Sequence, residues 1–323
     1  MIRVRTVWNA IAIGCTALAV AVLAAWALGR VISDRWGWSQ WLLWLPTPVA
    51  LLAVVPGLLG ACRQAARPGL RRRRLAVWAV AGAAVLLYFT VLEHRFLRGA
   101  AGDGDGLRLL HSSTYPGWRE AREAYADRLV EIGADLIVLS NRADARDAQR
   151  IRERRGEALE VVTIWPFMVI SPFPILEARP LVASAQIYVA MFQLDTSAAL
   201  GRSITLYAVD LPSDLRLARR DIARAARRLL DGTGAPAPDV VVGDFNMTRG
   251  SASLRTLFPG LSHAYDQAGH GYGATFDRRF PLYHIDHVLL AETVRAADYA
   301  LVDLETGRHL GQSVRLVPAQ PRD

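Results

Sequence analysis

Asp244 and Asn246 stand two residues apart at the end of the run VVVGDFN, Val240 to Asn246. Three valines in a row signal a buried strand, and residues i and i+2 of a strand share one face. An isolated ionised carboxylate is too costly to bury. Asp244 is therefore expected at a solvated strand end or beside a ligand that binds it. A second acid, Asp286, stands in HIDHVLLA between His284 and His287. His284 shares its strand face with Asp286 and is expected either to touch a substrate or to pack in the core or at an edge. His111, His263 and His270 have no metal-ligand spacing, which argues against a zinc site. The two cysteines, Cys15 and Cys62, both lie in the apolar N-terminal part. The remainder therefore has no disulfide framework and no thiolate metal site.

The elements that must position these acids alternate along the chain. LRLLHSS, Leu107 to Ser113, reads as a strand, and GWREAREAYADRLVEIGA reads as a helix closed by Gly133. DLIVLSN is a short strand ending on Asn141, and RADARDAQRIRERRG is a polar helix. EVVTIW, FMVISPF, VASAQIYVAMFQL and SITLYAVDL are strand-like, the last carrying Asp210. Ser213 is expected to cap the helix DLRLARRDIARAARRLL, and DVVVGDFN, HIDHVLLA and SVRLVPA supply further strands. The pattern predicts an α/β sandwich of mixed sheets with helices outside.

Residues 1–98 differ in kind. Thr6–Gly29 has no charge in 24 residues, Trp36–Cys62 none in 27 and Leu75–Leu92 none in 18. A spanning helix needs about 20 apolar residues. Three spans are expected, at about residues 7–29, 38–62 and 75–93; the first alone also fits a signal peptide after Arg3 and Arg5. Arg63, Arg67 and Arg71 to Arg74 fill the second connection. The excess of arginine there and at the N-terminus predicts that both face the cytoplasm. Residues 99–106 read as a small-residue linker, 107–318 as a domain outside the cytoplasmic membrane, and 319–323 as a tail.

The charge follows the same division. The whole chain is +8, but residues 1–98 hold 12 Arg against two acids, leaving residues 99–323 at −2. The lipid bilayer is thus an expected partner of the N-terminal part. The outer part lacks the positive excess that binds phosphate backbones non-specifically, so nucleic acid is not favoured by charge.

The segments GDFN (Gly243–Asn246), IDHVLL (Ile285–Leu290), ADLIVLSN, ISPFPI and YAVDLPS occur in an order and spacing that resemble the endonuclease/exonuclease/phosphatase superfamily. The resemblance covers about residues 105–318. It implies two packed β-sheets flanked by helices, and cleavage of a phosphoester with Mg2+ or Mn2+, hard cations that prefer oxygen ligands. It implies Asp244 as a metal ligand and Asn246 as a group touching the nucleophile or phosphate. It implies further that Asp286 orients His309, in GRHLG, as the water-activating base.

Four positions depart from the family pattern. Ser113 stands for an Asn, Asn141 for the metal-binding Glu, Asp210 for a phosphate-contacting His, and Arg308 for the Asp before the catalytic His. Asp210 with Asp244 is the expected relocated metal pair, since Mg2+ often uses one or two carboxylates and several waters. Arg308, Asn141 and Ser113 are the expected phosphate contacts. Two functions follow: a membrane-anchored, outward-facing phosphoester hydrolase of phosphodiesterase or nuclease type, or a degenerate relative that binds a phosphate-bearing ligand or a protein partner.

Overall fold

The computed structural model describes residues 2–64, 68–99, 104–113, 119–140, 145–155, 159–184 and 186–319. The chain divides into two compact units, Met1–Leu97 and Arg98–Asp323.

The first unit is helical: α1 Ile2–Ile32, α2 Gln40–Leu43, α3 Thr47–Gln64 and α4 Pro68–Leu87, the last running on as a π-helical turn over Tyr88–Glu93. Thr6–Ile32 and Pro68–Glu93 are long and apolar enough to cross a membrane, and Thr47–Arg63 is apolar but shorter. The expected span 38–62 is therefore not one helix. Pro46 and Pro48 lack the amide that continues a helix and disfavour helical geometry in the residue before them. The carbonyls freed at the break are satisfied by Arg30, whose guanidinium donates to Leu43 O at 2.7 Å and Leu45 O at 3.0 Å. At the α3–α4 contact a side chain on Gly57 would sit 2.5 Å from the Trp78 ring. Glycine is what lets these two helices approach.

The second unit is a two-sheet sandwich. Its strands are β1 Leu107–Ser112, β2 Leu136–Leu139, β3 Glu160–Ile164, β4 Phe167–Ser171, β5 Ile175–Ser184, β6 Ile187–Leu194, β7 Ile204–Asp210, β8 Val240–Asp244, β9 Ser262–His263, β10 Asp286–Leu290, β11 Val294–Val302 and β12 Gly311–Pro318. Its helices are α5 Arg119–Glu131, α6 Ala145–Arg155, α7 Ser197–Leu200, α8 Arg219–Asp231, α9 Ala252–Leu257 and α10 Ala264–Ala268. One sheet runs β11-β12-β1-β2-β4-β3 and the other β5-β6-β7-β8-β10-β9.

Alternation along each strand makes three layers of core. Leu109, Val138 and Val314 of the first sheet meet Leu206, Ala208, Val242 and Val288 of the second between the sheets. The opposite faces carry helices: Tyr125, Leu129 and Ile151 cover Ile137 and Met168. Ile222, Ala226 and Leu254 cover Val209 and Val241.

Two local expectations change, and the strand β11 has no counterpart among the segments read from sequence. VASAQIYVAMFQL is not one strand: Val182–Ser184 ends β5 and Ile187–Leu194 is β6, paired antiparallel with it. Strand β11 carries no strong alternation in sequence; its pairing with β12 holds it, with a register shift between Ala296 and Asp298. Ser213 does not cap α8, which begins six residues later after Ala218. The intervening loop is held by Arg219 itself, which is 1% exposed. Its guanidinium donates to the carbonyls of Pro212, Ser213 and Asp214.

Candidate active site

The inner-face rows of both sheets turn from apolar to polar at one end of the sandwich. On the second sheet Leu206 and Ala208 lead to Asp210, Val242 leads to Asp244, and Leu290 and Val288 lead back to Asp286. On the first sheet Leu109 leads to His111, Val138 to Ser140, and Val314 back to Gln312. Asp210 and Asp244 are register partners in the parallel β7–β8 pair, and Asp244 and Asp286 in the antiparallel β8–β10 pair. Register partners point to the same face, and neighbouring strands lie about 4.8 Å apart. Three carboxylates therefore stand in one row.

The close approach of β7 to β8 requires Gly243. A side chain there would lie 1.9 Å from the carbonyl oxygen of Val209. This is why a glycine interrupts the valine run immediately before the acid.

His309 comes to this row from the loop before β12. Its Nδ1–H donates to Asp286, at 2.9 Å from Oδ2 and 3.1 Å from Oδ1. Its Nε2 lies 3.8 Å from Asp244 Oδ2. The Phe276 ring packs on the imidazole at 4.9 Å. Asp244, Asp286 and His309 each offer a ligand atom within 4.8 Å of the others, a group that can hold a metal ion.

The electrostatics follow from this geometry. Burial, then the charge of Asp286, pushes the Asp210 carboxyl up to about 7, with His309 partly opposing. Burial raises Asp244 as well, with Asp286 and Asp210 adding to the shift against His309 and the Asn246 amide. Burial also works against Asp286, but the charge and hydrogen bond of His309 outweigh it and hold that carboxyl below its usual range. Burial disfavours the imidazolium, yet Asp286 and Asp244 lift His309 to about 9. One imidazole therefore faces three carboxylates: it hydrogen-bonds Asp286 and only partly offsets the upward shifts of Asp210 and Asp244. The donor set fits a hard divalent ion: oxygen ligands, two adjacent carboxylates and an open cleft.

Asn246 does not share Asp244's strand face, as the spacing had implied. The strand ends at Asp244, and Asn246 takes a left-handed backbone conformation with φ 50°. Asn tolerates that conformation better than other side chains do. Its N–H caps Asp244 Oδ1 at 3.0 Å, and its side-chain amide donates to Leu211 O at 2.9 Å. Asn246 thus fixes both the Asp244 carboxylate and the loop after β7.

A cleft of about 410 Å3 opens over the row, lined by Asp210, Asp244, Asn246, His309, Arg308, Phe276, Tyr188, Gln186 and the loop from Leu211 to Ser213. Arg308 lines it while donating from Nε to Asp277 at 3.0 Å and lying 4.6 Å from the Phe276 ring centre. Ser113 is buried at the end of β1 and is not among the lining residues. Asn141 lies outside the described residues. His284 stacks on His287 and packs edge-on against Tyr265, the packing alternative of the two expected.

Sequence reasoning missed the support behind Asp286. Gln312 Nε2 donates to Asp286 O at 3.0 Å and to Tyr299 OH at 2.7 Å. Its Oε1 can then only accept, so His111 Nδ1, 3.3 Å away, carries the proton and His111 Nε2 accepts from Ser140 Oγ at 3.1 Å. Thr275 Oγ1 accepts the N–H groups of Ile285 and Asp286. The available signal was one of parity: His111, Ser140 and Gln312 are polar at positions where their strands otherwise point apolar side chains inward.

No protein-family model matches the sequence, and no curated protein matches it. Solved structures do match in fold. A humanised D. rerio TDP2 is 17% identical, with TM-score 0.50, covering 66% of this chain and 99% of its own. A functionally unknown conserved protein from Enterococcus faecalis is 11% identical, with TM-score 0.52, covering 66% of this chain and 100% of its own. An endonuclease/exonuclease/phosphatase family protein from Bacteroides thetaiotaomicron is 14% identical, with TM-score 0.48, covering 66% and 98%. With two mixed sheets face to face, helices outside and the polar row at one end, the second unit has the fold of the endonuclease/exonuclease/phosphatase type.

Proposed function

We propose that the second unit hydrolyses a phosphoester with the help of a divalent cation, Mg2+ or Mn2+, held by Asp210 and Asp244. Fold alone does not assign an activity. The observation that carries this reading is the in-register row Asp210, Asp244, Asp286 served by the single imidazole of His309. Two adjacent carboxylates that burial and neighbouring acids raise offer a divalent cation ligands it would stabilise in ionised form. A phosphoester in the cleft would gain from the same charge. When bound, the cation supplies Lewis-acid polarisation of the phosphoryl oxygen.

The chain's own groups do the rest. Asp286 holds His309 in the tautomer whose Nε2 faces the cleft. Against burial, the two carboxylates Asp286 and Asp244 favour its imidazolium. It is the neutral imidazole, which neutralising the Asp244 charge would favour, that takes a proton from the attacking water. Water oxygen bonds to phosphorus, the ester P–O bond breaks, and the departing oxygen takes up a proton. Arg308 at the cleft wall contributes a fixed positive charge for a phosphate oxygen. Asn246 keeps the Asp244 carboxylate aimed at the site.

The apolar helices support membrane anchoring, and the arginine distribution supports a cytoplasmic N-terminus with the second unit outside the cytoplasmic membrane. Phosphodiesters of the envelope or medium are the substrate class this location favours. The net charge of −2 for residues 99–323 disfavours long nucleic acids.

The test is a phosphodiester panel (bis-p-nitrophenyl phosphate, sphingomyelin, DNA, RNA) with the full chain, with and without Mn2+. Asp244→Ala and His309→Ala are run beside it. Mn2+-dependent turnover lost in both variants is the expected result. The binding-only reading draws on Arg308, which stands where the resembled family has an acid and is held by Asp277. Mn2+ or phosphate binding without turnover on any substrate decides for it.

A further inference from the structure

The site end of the sandwich is where the second unit leaves its large apolar side chains exposed. Trp165 is 59% exposed, Phe280 81%, Leu217 45%, and Leu215 and Leu282 40% each. Among the described residues of this unit, only Leu176 and Leu229 are comparable and lie elsewhere, at the far end of the β5–β6 hairpin and late in α8.

All five fall in loops at the site end of the sandwich. Trp165 sits in the β3–β4 turn, beyond the Leu139–Met168 pair, at the end where β1 and β2 finish. Leu215 and Leu217 follow Pro212 and Ser213 of the cleft wall. Phe280 and Leu282 lie between Phe276 of the cleft wall and the start of β10, in a loop closed by the Phe276–Tyr283 bridge. They come from three separate loops, two of them continuous with the cleft wall at Ser213 and Phe276, and none of the five lines the cleft itself.

Arginines are interleaved with them. Arg279 is exposed, the Arg216 side chain is 89% exposed beside Asp214, and the Arg308 side chain is 70% exposed beside Asp277. Dispersed apolar tips with arginines between them, two of these paired with an aspartate at the surface, suit the soft headgroup layer of a bilayer better than the contiguous complementary patch of a protein partner. The same chain carries two helices long and apolar enough to cross a membrane.

We propose that this rim is a bilayer-docking surface, whose apolar tips enter the interfacial layer of an anionic membrane so that the cleft opens onto the headgroups. It rests on the phosphoester reading only for its purpose; the docking itself requires no turnover.

The experiment uses the full chain in nanodiscs containing phosphatidylglycerol, in a Cys15→Ser, Cys62→Ser background. A bimane label is placed at Phe280→Cys or, as control, at Leu176→Cys, and nitroxide-labelled phosphatidylcholine is the quencher. Docking predicts about fivefold stronger quenching at 280 than at 176, because interfacial side chains enter the headgroup region by roughly 5–10 Å. Leu217→Asp with Leu282→Asp, both at exposed positions, is expected to abolish the difference. Equal quenching at the two labels overturns the proposal. So does shielding of the 280 label that depends on protein concentration and not on lipid, which identifies a second copy as the occupant. Absence of turnover on every phosphodiester of the panel with the quenching difference intact refutes the phosphoester reading and leaves the docking surface standing.

Discussion

Asp244 and Asp286 are direct cross-strand partners in the antiparallel β8–β10 pair, and the carboxylate of only one of them is hydrogen-bonded to His309. Asp286 has the imidazole's Nδ1, whereas Asp244 Oδ2 stands 3.8 Å from Nε2. Burial and the neighbouring acids raise the Asp244 carboxyl, and the imidazolium 3.8 Å away offsets this only in part, so its ionised form is a cost to the fold. Asp244→Asn removes that penalty and keeps an oxygen for the Asn246 amide. The variant's melting temperature in chelator is expected to rise by about 2–4 °C, the shift that roughly 1 kcal/mol produces in a chain portion of this size. The stabilisation by Mn2+ expected of the parent should be absent from the variant. Differential scanning fluorimetry with and without Mn2+ reads both.

Asp286→Asn leaves the shape of the site but lets the imidazole take the other tautomer. Turnover is expected to fall on the order of 10²–10⁴-fold with little change in KM. His309 is expected to titrate well below the value of about 9 it has beside the two carboxylates. NMR of the imidazole follows that shift independently of activity.

Gln312→Leu strips partners from three buried groups at once, the Asp286 carbonyl, the Tyr299 hydroxyl and His111 Nδ1. An orphaned buried polar group costs about 1–3 kcal/mol. Because these groups form one network, the losses are not additive, and about 3 kcal/mol is expected from urea unfolding. Turnover falls as well, since Gln312 supports the segment that carries Asp286.

Arg219→Met tests the loop over the cleft. The guanidinium is buried and donates to Pro212, Ser213 and Asp214 carbonyls. Without it these acceptors lose their donor, while the methionine fills much of the volume. Destabilisation of about 2–4 kcal/mol and faster proteolysis between residues 211 and 218 are expected. Limited proteolysis with mass mapping locates the cut.

Acid destabilises this fold through two histidines, His287 buried and His263 partly buried, that do not line the cleft. His287 is held near 3, first by burial and then by the neighbouring His263 and Arg249, with the Met247 carbonyl and Asp286 opposing. His263 is held near 4 by burial, with Asp266 opposing and Arg249 and Arg255 assisting. Both fold neutral, whereas the unfolded chain protonates them near 6.5. Their stabilisation is complete above that value and is lost as pH falls from about 6.5 toward 4 and then 3. Each proton adds a slope of up to about 1.4 kcal/mol per pH unit. His263→Phe, which keeps a ring against His287, is expected to flatten the limb between pH 6 and 4.5 in urea-midpoint measurements.

The sequence by itself determined what is local. Apolar alternation marked the strands that carry Asp210, Asp244 and Asp286, and charge-free runs marked the N-terminal helices. The glycine before Asp244 followed from the same motif. Pro46 was equally visible, and its effect on the second apolar run is a local rule. Tertiary structure decided what depends on register between distant strands. Only the pairing of β7, β8 and β10 makes three separated aspartates one row, and only the β1–β12 pairing brings Gln312 to His111. It likewise decided that Asn246 turns out of its strand and that Arg219 is buried. A residue's face can be read from its neighbours along the chain, but the charge it meets there belongs to another strand. The energy that selects the register is spread over the whole sandwich core.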